Sequence, residues 1–247
     1  MARTIFLSAL QVDVDRVSLD AATGELTIDG NITNGNPFDE STGDILAVTP
    51  VRVEFGTSVR AEVSHDIPTT PAGSSSPISW HATVGEVDLA SGRLVFGAGG
   101  ANRSTLPFGG GDVQTVAPVH GLVDGLVIDN GAVRATVATS VFRTSFDVGQ
   151  AGHRRLDLAV DVEGLVDQVG GYRCNADHFE LVFADGSRRA GGAPEDGYAL
   201  LSVLGLNTTA NGWVSFDLTD QSGPVTLQLT TSDYPGSSAA STALTLP

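Results

Sequence analysis

The sequence predicts an all-β protein built as two tandem β-sandwich modules, residues 1–125 and 126–247. Three observations carry that prediction. Apolar and polar residues alternate with a period of two along several segments. Glycine-bearing turns join those segments tightly. Short phrases from the first half of the chain also return, in the same order, in the second.

The first strands lie in "QVDVDRVSLD" and "ATGELTIDGNIT". In the second, Leu26, Ile28, Gly30 and Ile32 take one face, and Thr27, Asp29, Asn31 and Thr33 take the other. That is a half-buried antiparallel strand, and "AATG" is the hairpin turn before it. The turn recurs: "VSLDAATGELTI" (17–28) and "GEVDLASGRLVF" (85–96) share an acid, then Ala–Thr/Ser–Gly, then a leucine, and both read as hairpins. A third hairpin is marked by Asn130–Gly131 in "VIDNGAVRATV". "STLPFGGGDVQ" (104–114) reads as a long connection.

The echoes give the module count. "PISWHATV" (77–84) resembles "GWVSFDLT" (212–219), with Ile78–Ser79–Trp80 matching Val214–Ser215–Phe216. "PVRVEF" (50–55) likewise resembles "HFELVF" (178–183). Ahead of them, "ELTIDG" and "LDLAVDVEG" are alternating strands in the same order. The division between the copies falls in "GLVDGLVIDNG".

Composition excludes several classes. A chain of 247 residues with 41% hydrophobic and 17% charged residues is too apolar for disorder and long enough to bury a real core. The net charge of −16 opposes binding to nucleic-acid phosphate or an anionic membrane surface. All 13 basic residues are arginine. No segment reaches the roughly 18–20 apolar residues that span a bilayer, so no membrane insertion is expected. Cys174 is the single cysteine, which rules out an intrachain disulfide. "TIFLSAL" is too short for a secretory signal, and the start reads as a mature first strand. That leaves a protein that stays inside the cell, or one whose export signal has been removed.

"DGNITNGNPFDE" (29–40) has nearly the ligand spacing of a calcium loop, with Glu40 twelfth from Asp29. Its sixth position, which the sharp bend reserves for glycine, is Asn34. The alternation is better read as the wet face of a strand that ends in the turn "NGNP".

The second module carries a family resemblance. "RRLDLAVDVEGL", "DHFELVFADGSRRAGG", "LLSVLGLNTTANGWVSFDLT" and "VTLQLTT" resemble the telokin-like immunoglobulin-fold domains of bacterial exported proteins, over about residues 135–235. The matching positions are Phe179, Leu181, Asp185–Gly186, Gly212, Val214, Phe216, Leu218, Leu227 and Leu229. The family's lipid-attachment cysteine has no counterpart here. The resemblance implies an immunoglobulin-like fold, an extracellular or cell-surface location, a binding or structural role, and no catalytic residues.

Candidate chemistry is sparse. Cys174 and His178 have a spacing seen at copper sites, with His65, His81, His120 or His153 as further ligands, but the only methionine is Met1. A buried thiol beside a surface histidine is the simpler reading. Asp13 with Asp15, or Glu195 with Asp196, are carboxylates of the kind glycosidases pair, and solvation explains them equally well. No nucleophile elbow, phosphate loop or zinc helix is present. Sequons stand at Asn31, Asn102 and Asn207. Trp80 shares its face with Ile78, Ala82 and Val84 and is expected in the core. Trp213 is out of phase with Val214 and Phe216, which makes it the one candidate ligand-binding residue.

The sequence therefore predicts a non-enzymatic structural or adhesive protein, a surface or assembly subunit with neither cofactor nor metal. Its expected partners are proteins, or its own copies, joined through strand edges; "RTIFLSALQV" is apolar enough to be a donated strand. The alternatives are a virion or tail component and a ligand- or carbohydrate-binding accessory domain.

Overall fold

The computed structural model describes residues 3–35, 46, 49, 51–57, 59–63, 70–97, 102–195, 198–219, 221–230 and 239–247. It is all-β, with antiparallel sheets and single 3₁₀ turns such as Leu89–Ser91 and Ala176–His178. The chain divides into two units. Unit 1 comprises Met1–Pro118 and Arg143–His153; unit 2 comprises Val119–Phe142 and Arg154–Pro247.

Unit 1 has strands β1 (Arg3–Leu7), β2 (Leu10–Asp20), β3 (Glu25–Asn34), β4 (Val51–Phe55), β5 (Val59–Glu62), β6 (Ser75–Thr83), β7 (Gly92–Phe96) and β8 (Ser104–Pro107). They form two sheets, ordered β1-β2-β3-β6 and β5-β4-β7-β8. Alternation dictates which side chains turn inward. Leu26, Ile28 and Ile32 of β3 join Ile78, Trp80 and Ala82 of β6 in one core with Val53, Leu94 and Phe96 of the other sheet. Trp80 meets Phe96 edge-on, with ring centroids 6.0 Å apart. Gly30 sits where β2 bulges between Val14 and Arg16. A Cβ there would lie 2.0 Å from the Asp13 carbonyl oxygen.

The segment Arg143–His153 completes unit 1 through polar contacts. Arg143 is buried, its guanidinium over the Phe146 ring and its Nη1 donating to Ser8 Oγ at 2.8 Å. Ser8 Oγ in turn donates to the Thr144 carbonyl at 2.6 Å. The Asn102 carboxamide donates to the carbonyls of Ser145, Gln150 and His153, so that sequon nitrogen is committed to the fold. Glu54, also buried, accepts from Arg93 at 2.8 Å and from Arg103 at 2.7 Å.

Unit 2 has β9 (Val119–His120), β10 (Val127–Asp129), β11 (Val133–Thr144, whose last two residues belong to unit 1), β12 (Arg154–Gly164), β13 (Tyr172–Arg173), β14 (Phe179–Phe183), β15 (Arg188–Ala190), β16 (Val203–Leu204), β17 (Thr209–Leu218), β18 (Gly223–Leu229) and β19 (Ala240–Leu246). Its two main sheets run β10-β11-β12-β17 and β15-β14-β18-β19, with β9 beside β11 and a separate β13-β16 pair. Leu156, Leu158, Val214 and Phe216 face Phe179, Leu181, Val225 and Leu227 across its core.

The two units have one topology. If β9, β13 and β16 are set aside, the eight remaining strands of unit 2 pair as those of unit 1 do. First, second, third and sixth make one sheet; fifth, fourth, seventh and eighth make the other. The sequence echoes fall on corresponding strands. "PISWHATV" and "GWVSFDLT" are the sixth strands, "PVRVEF" and "HFELVF" the fourth, "ELTIDG" and "LDLAVDVEG" the third.

Three expectations change in the structure. The segment 104–114, read as a long connection, begins with strand β8, which pairs with β7. "GEVDLASGRLVF" is not a hairpin: β6 pairs with β3, whereas β7 pairs with β4 and β8 in the other sheet. The shared Ala–Ser–Gly phrase forms a 3₁₀ turn capped by Asp88, whose carboxylate accepts from Ala90 N, and the chain crosses between sheets there. The N-terminal strand is not free for donation either, since β1 pairs in register with β2 and buries Ile5 and Leu7. The hairpins at Ala21–Gly24 and Asn130–Gly131 form as read. Gly24 and Gly131 take positive φ, and Asn130 Oδ1 accepts from Ala132 N and Val133 N.

Trp80 gives a direct test of this packing. Its Nε1 has no hydrogen-bond partner among the described residues, although the ring is fully buried. Trp80→Ala is expected to cost about 3–5 kcal/mol in denaturant unfolding. Trp80→Phe keeps a ring against Phe96 and removes the unsatisfied N–H, so its cost is expected to be clearly smaller.

Candidate interaction surface

The position that first resembled a calcium ligand belongs to a duplicated cross-strand pair. Asp29 on β3 lies opposite Ser79 on β6, and Asp157 on β12 lies opposite Ser215 on β17. In both, the serine hydroxyl donates to the aspartate: Ser79 Oγ to Asp29 Oδ1 at 2.8 Å, and Ser215 Oγ to Asp157 Oδ1. Asp29 also receives Arg16 at 2.7 Å. The Arg16 bond, then the Ser79 bond, hold its carboxyl below the ordinary value. A depressed folded pKa means that this contribution is present above the ordinary carboxylate pKa and is lost as pH falls through the folded value. Glu40 and the end of the loop lie outside the described residues. Asp157 is buried, and Arg155 donates to Ser215 Oγ at 2.9 Å and to the Ala193 carbonyl at 3.0 Å.

The other candidates disperse. Cys174 is fully buried, and burial, with Asp177 as a lesser cause, pushes its thiol up to about 12. His178 Nδ1 accepts from Asn175 N at 3.2 Å. His81 stands beside Glu25 in unit 1, His153 is also in unit 1, and His120 lies on β9. His65 is outside the described residues. No three His, Cys, Asp or Glu among the described residues are grouped as a metal would require. Asp13 accepts from Gln11 and Thr4, Asp15 accepts from Asn31, Glu195 is half-buried, and Asp196 lies outside the described residues. No helix among the described residues is long and apolar enough to cross a membrane.

Trp213 is half-buried on β17, opposite Ala159. The backbone of Ala199–Leu200 runs along this part of β17: Ala199 bridges Trp213 in parallel, and Leu200 N donates to the Trp213 carbonyl at 2.7 Å. Gly212 permits that approach, since a Cβ there would lie 2.7 Å from Leu200 Cα.

From Leu200 the chain continues as an outlying ribbon, which periodicity alone did not single out. Residues 200–204 run antiparallel to 172–176. Tyr172 faces Leu204, Arg173 faces Val203, Cys174 N donates to the Ser202 carbonyl and Ala176 N to the Leu200 carbonyl. Leu200, Ser202 and Leu204 turn inward and are buried. Leu201 and Val203 turn outward, 82% and 63% exposed, and Tyr198 before them is 92% exposed. Leu206 and Val169 are exposed nearby in the chain. Leu201, Ser202 and Val203 line an open groove of about 480 Å³ with Arg173 and Asn175. The Arg173 side chain forms no hydrogen bond or ion pair among the described residues. The ribbon thus presents a row of large apolar side chains with one cation beside it.

No family model matches the chain, and no curated protein matches it. A solved structure described as a conserved domain protein from Bacillus anthracis aligns at 7% identity over 100% of this chain and 89% of its own, with a TM-score of 0.27. That likeness is too slight to assign a fold or a function.

Two outcomes test this geometry. Native protein is expected to leave Cys174 unreactive toward a thiol reagent at pH 8, with one equivalent reacting on unfolding. Asp157→Ala, which strips the carboxylate from beside the buried Arg155, is expected to cost about 3–5 kcal/mol. The matching Asp29→Ala, on a solvated face, is expected to cost much less in the same unfolding assay.

Proposed function

We propose that the protein is a non-enzymatic structural or adhesive subunit, made of two immunoglobulin-like modules and working in a cell-surface or extracellular assembly. The strand order supports the immunoglobulin-like reading. In each unit the third strand pairs with the sixth and the fourth with the seventh, the crossed connections of a Greek-key sandwich. The telokin-like resemblance in unit 2 supports an exported binding role, since Phe179, Leu181, Val214, Phe216, Leu227 and Leu229 all serve its core.

One observation carries the assembly reading: Leu201 and Val203 face outward on the ribbon, with Tyr198 exposed before them, on a chain of net charge −16. Contiguous large apolar side chains in water mark an interaction surface, because covering them returns roughly 25 cal/mol per Å². Arg173 beside them offers a charge-assisted hydrogen bond to a carboxylate on the incoming protein.

The mass of the purified protein by light scattering tests the reading. A species larger than the 25.4 kDa chain is expected. Leu201→Ser with Val203→Ser is expected to reduce that mass without lowering the thermal midpoint, since both side chains face solvent. A wild-type protein at the mass of one chain, or a mass unmoved by the double variant, would sink it.

A further inference from the structure

Several sheet edges among the described residues are short, charged, interrupted or covered. On the outer side of β1, Phe6 N donates to Thr115 Oγ1, which donates back to the Phe6 carbonyl. Pro77 lies within β6 and brings no backbone donor to that edge. β5 and β10 are only four and three residues long, and β15 is three exposed residues that include Arg188 and Arg189. β17 is covered by Gly192 and Ala199, which bridge Ser215 and Trp213.

β19 has none of these features. It is seven residues, "ASTALTL", without a charge or a proline, and among the described residues its only strand partner is β18. Leu244 and Leu246 point into the core, while Ser241, Ala243 and Thr245 are exposed and small. Its counterpart in unit 1 shows what such an edge accepts. β8, the eighth strand there, takes an antiparallel partner on its outer side: Thr105 N donates to the Gln114 carbonyl at 2.7 Å, and Gln114 N to the Thr105 carbonyl at 2.9 Å.

We propose that the outer edge of β19 pairs antiparallel with β19 of a second copy of this chain, giving a two-fold dimer through a continuous eight-stranded sheet. The open edge of a strand requires another extended strand. On a second copy the edge that matches β19 in length and lack of charge is β19 itself. An antiparallel pair of identical strands is self-complementary and closes, so it stops at two chains instead of growing into a fibre. The absence of charge on β19 also matters: two chains of net charge −16 meet where neither contributes a charged side chain. The inference rests on the assembly reading but uses a surface separate from the Leu201–Val203 row.

The experiment measures mass by light scattering across a concentration series for four proteins: wild type, Leu201→Ser/Val203→Ser, Ala243→Lys/Thr245→Lys, and all four changes together. Circular dichroism confirms that each is folded. Leu201→Ser/Val203→Ser is expected to fall to about twice 25.4 kDa, and the four-change protein to a single chain. Amide hydrogen exchange over residues 240–247 is expected to slow with concentration in the Leu201→Ser/Val203→Ser protein and not in the four-change protein. A single-chain mass for Leu201→Ser/Val203→Ser, with a larger wild type, would overturn the β19 dimer and leave the assembly reading standing. A wild-type dimer abolished by the lysines but indifferent to the serines would support β19 and overturn the role of the row. A wild-type single chain at every concentration would overturn both.

Discussion

Each unit depends on the pairing of its third strand with its sixth. β3 meets β6, and β12 meets β17, across long stretches of intervening chain that include two of the four strands of the opposite sheet. Such pairing is slow to form because loop closure comes before its reward. Once made, it places Trp80 in one unit and Phe216 in the other over the facing sheet. The remaining strands can then bury their inward residues only in one register, because a one-residue slip turns every side chain to the wrong face.

The same strand pair shows how one local motif serves two environments. Asp29–Ser79 and Asp157–Ser215 are equivalent in topology and bonding. One lies on a solvated face with Arg16, where an ion pair adds little. The other is buried with Arg155, where every polar group must find a partner or pay its desolvation cost. The guanidinium therefore spreads its donors over Ser215 Oγ and the Ala193 carbonyl, and so fastens the segment that covers this face of β17. Glu54 in unit 1 meets the same requirement with two arginines. The buried polar groups thus mark where connecting segments are tied to sheets.

Unit 2 carries two exposed features. In unit 2 the connections between the third and fourth and the fifth and sixth strands form the β13–β16 ribbon. Its inward residues extend the core, and its outward side sets the apolar Leu201 and Val203 beside Arg173. The eighth strand is bridged on its outer side in unit 1, while in unit 2 its only strand partner among the described residues is β18.

Much of this was legible in the chain. Alternation in "ELTIDGNIT", "PISWHATV" and "LDLAVDVEG" determined which side chains face inward, because strand geometry sends successive residues to opposite faces. Asn130–Gly131 and Gly24 determined hairpins, because those turns need positive φ. The echoes located corresponding strands. What tertiary structure alone decided is which strands become neighbours. The Ala–Ser–Gly phrase at 90–92 is locally like the hairpin at 22–24 yet crosses between sheets, because its flanking strands find better partners far along the chain. Arg143–His153 belongs to unit 1 through carbonyl contacts to Asn102 and a buried arginine, which leave no periodic trace. Exposure at Leu201 and Val203, and openness at β19, depend on what lies across from them in space. Local pattern determines the face a residue takes; only the assembled sheets determine whether that face is covered.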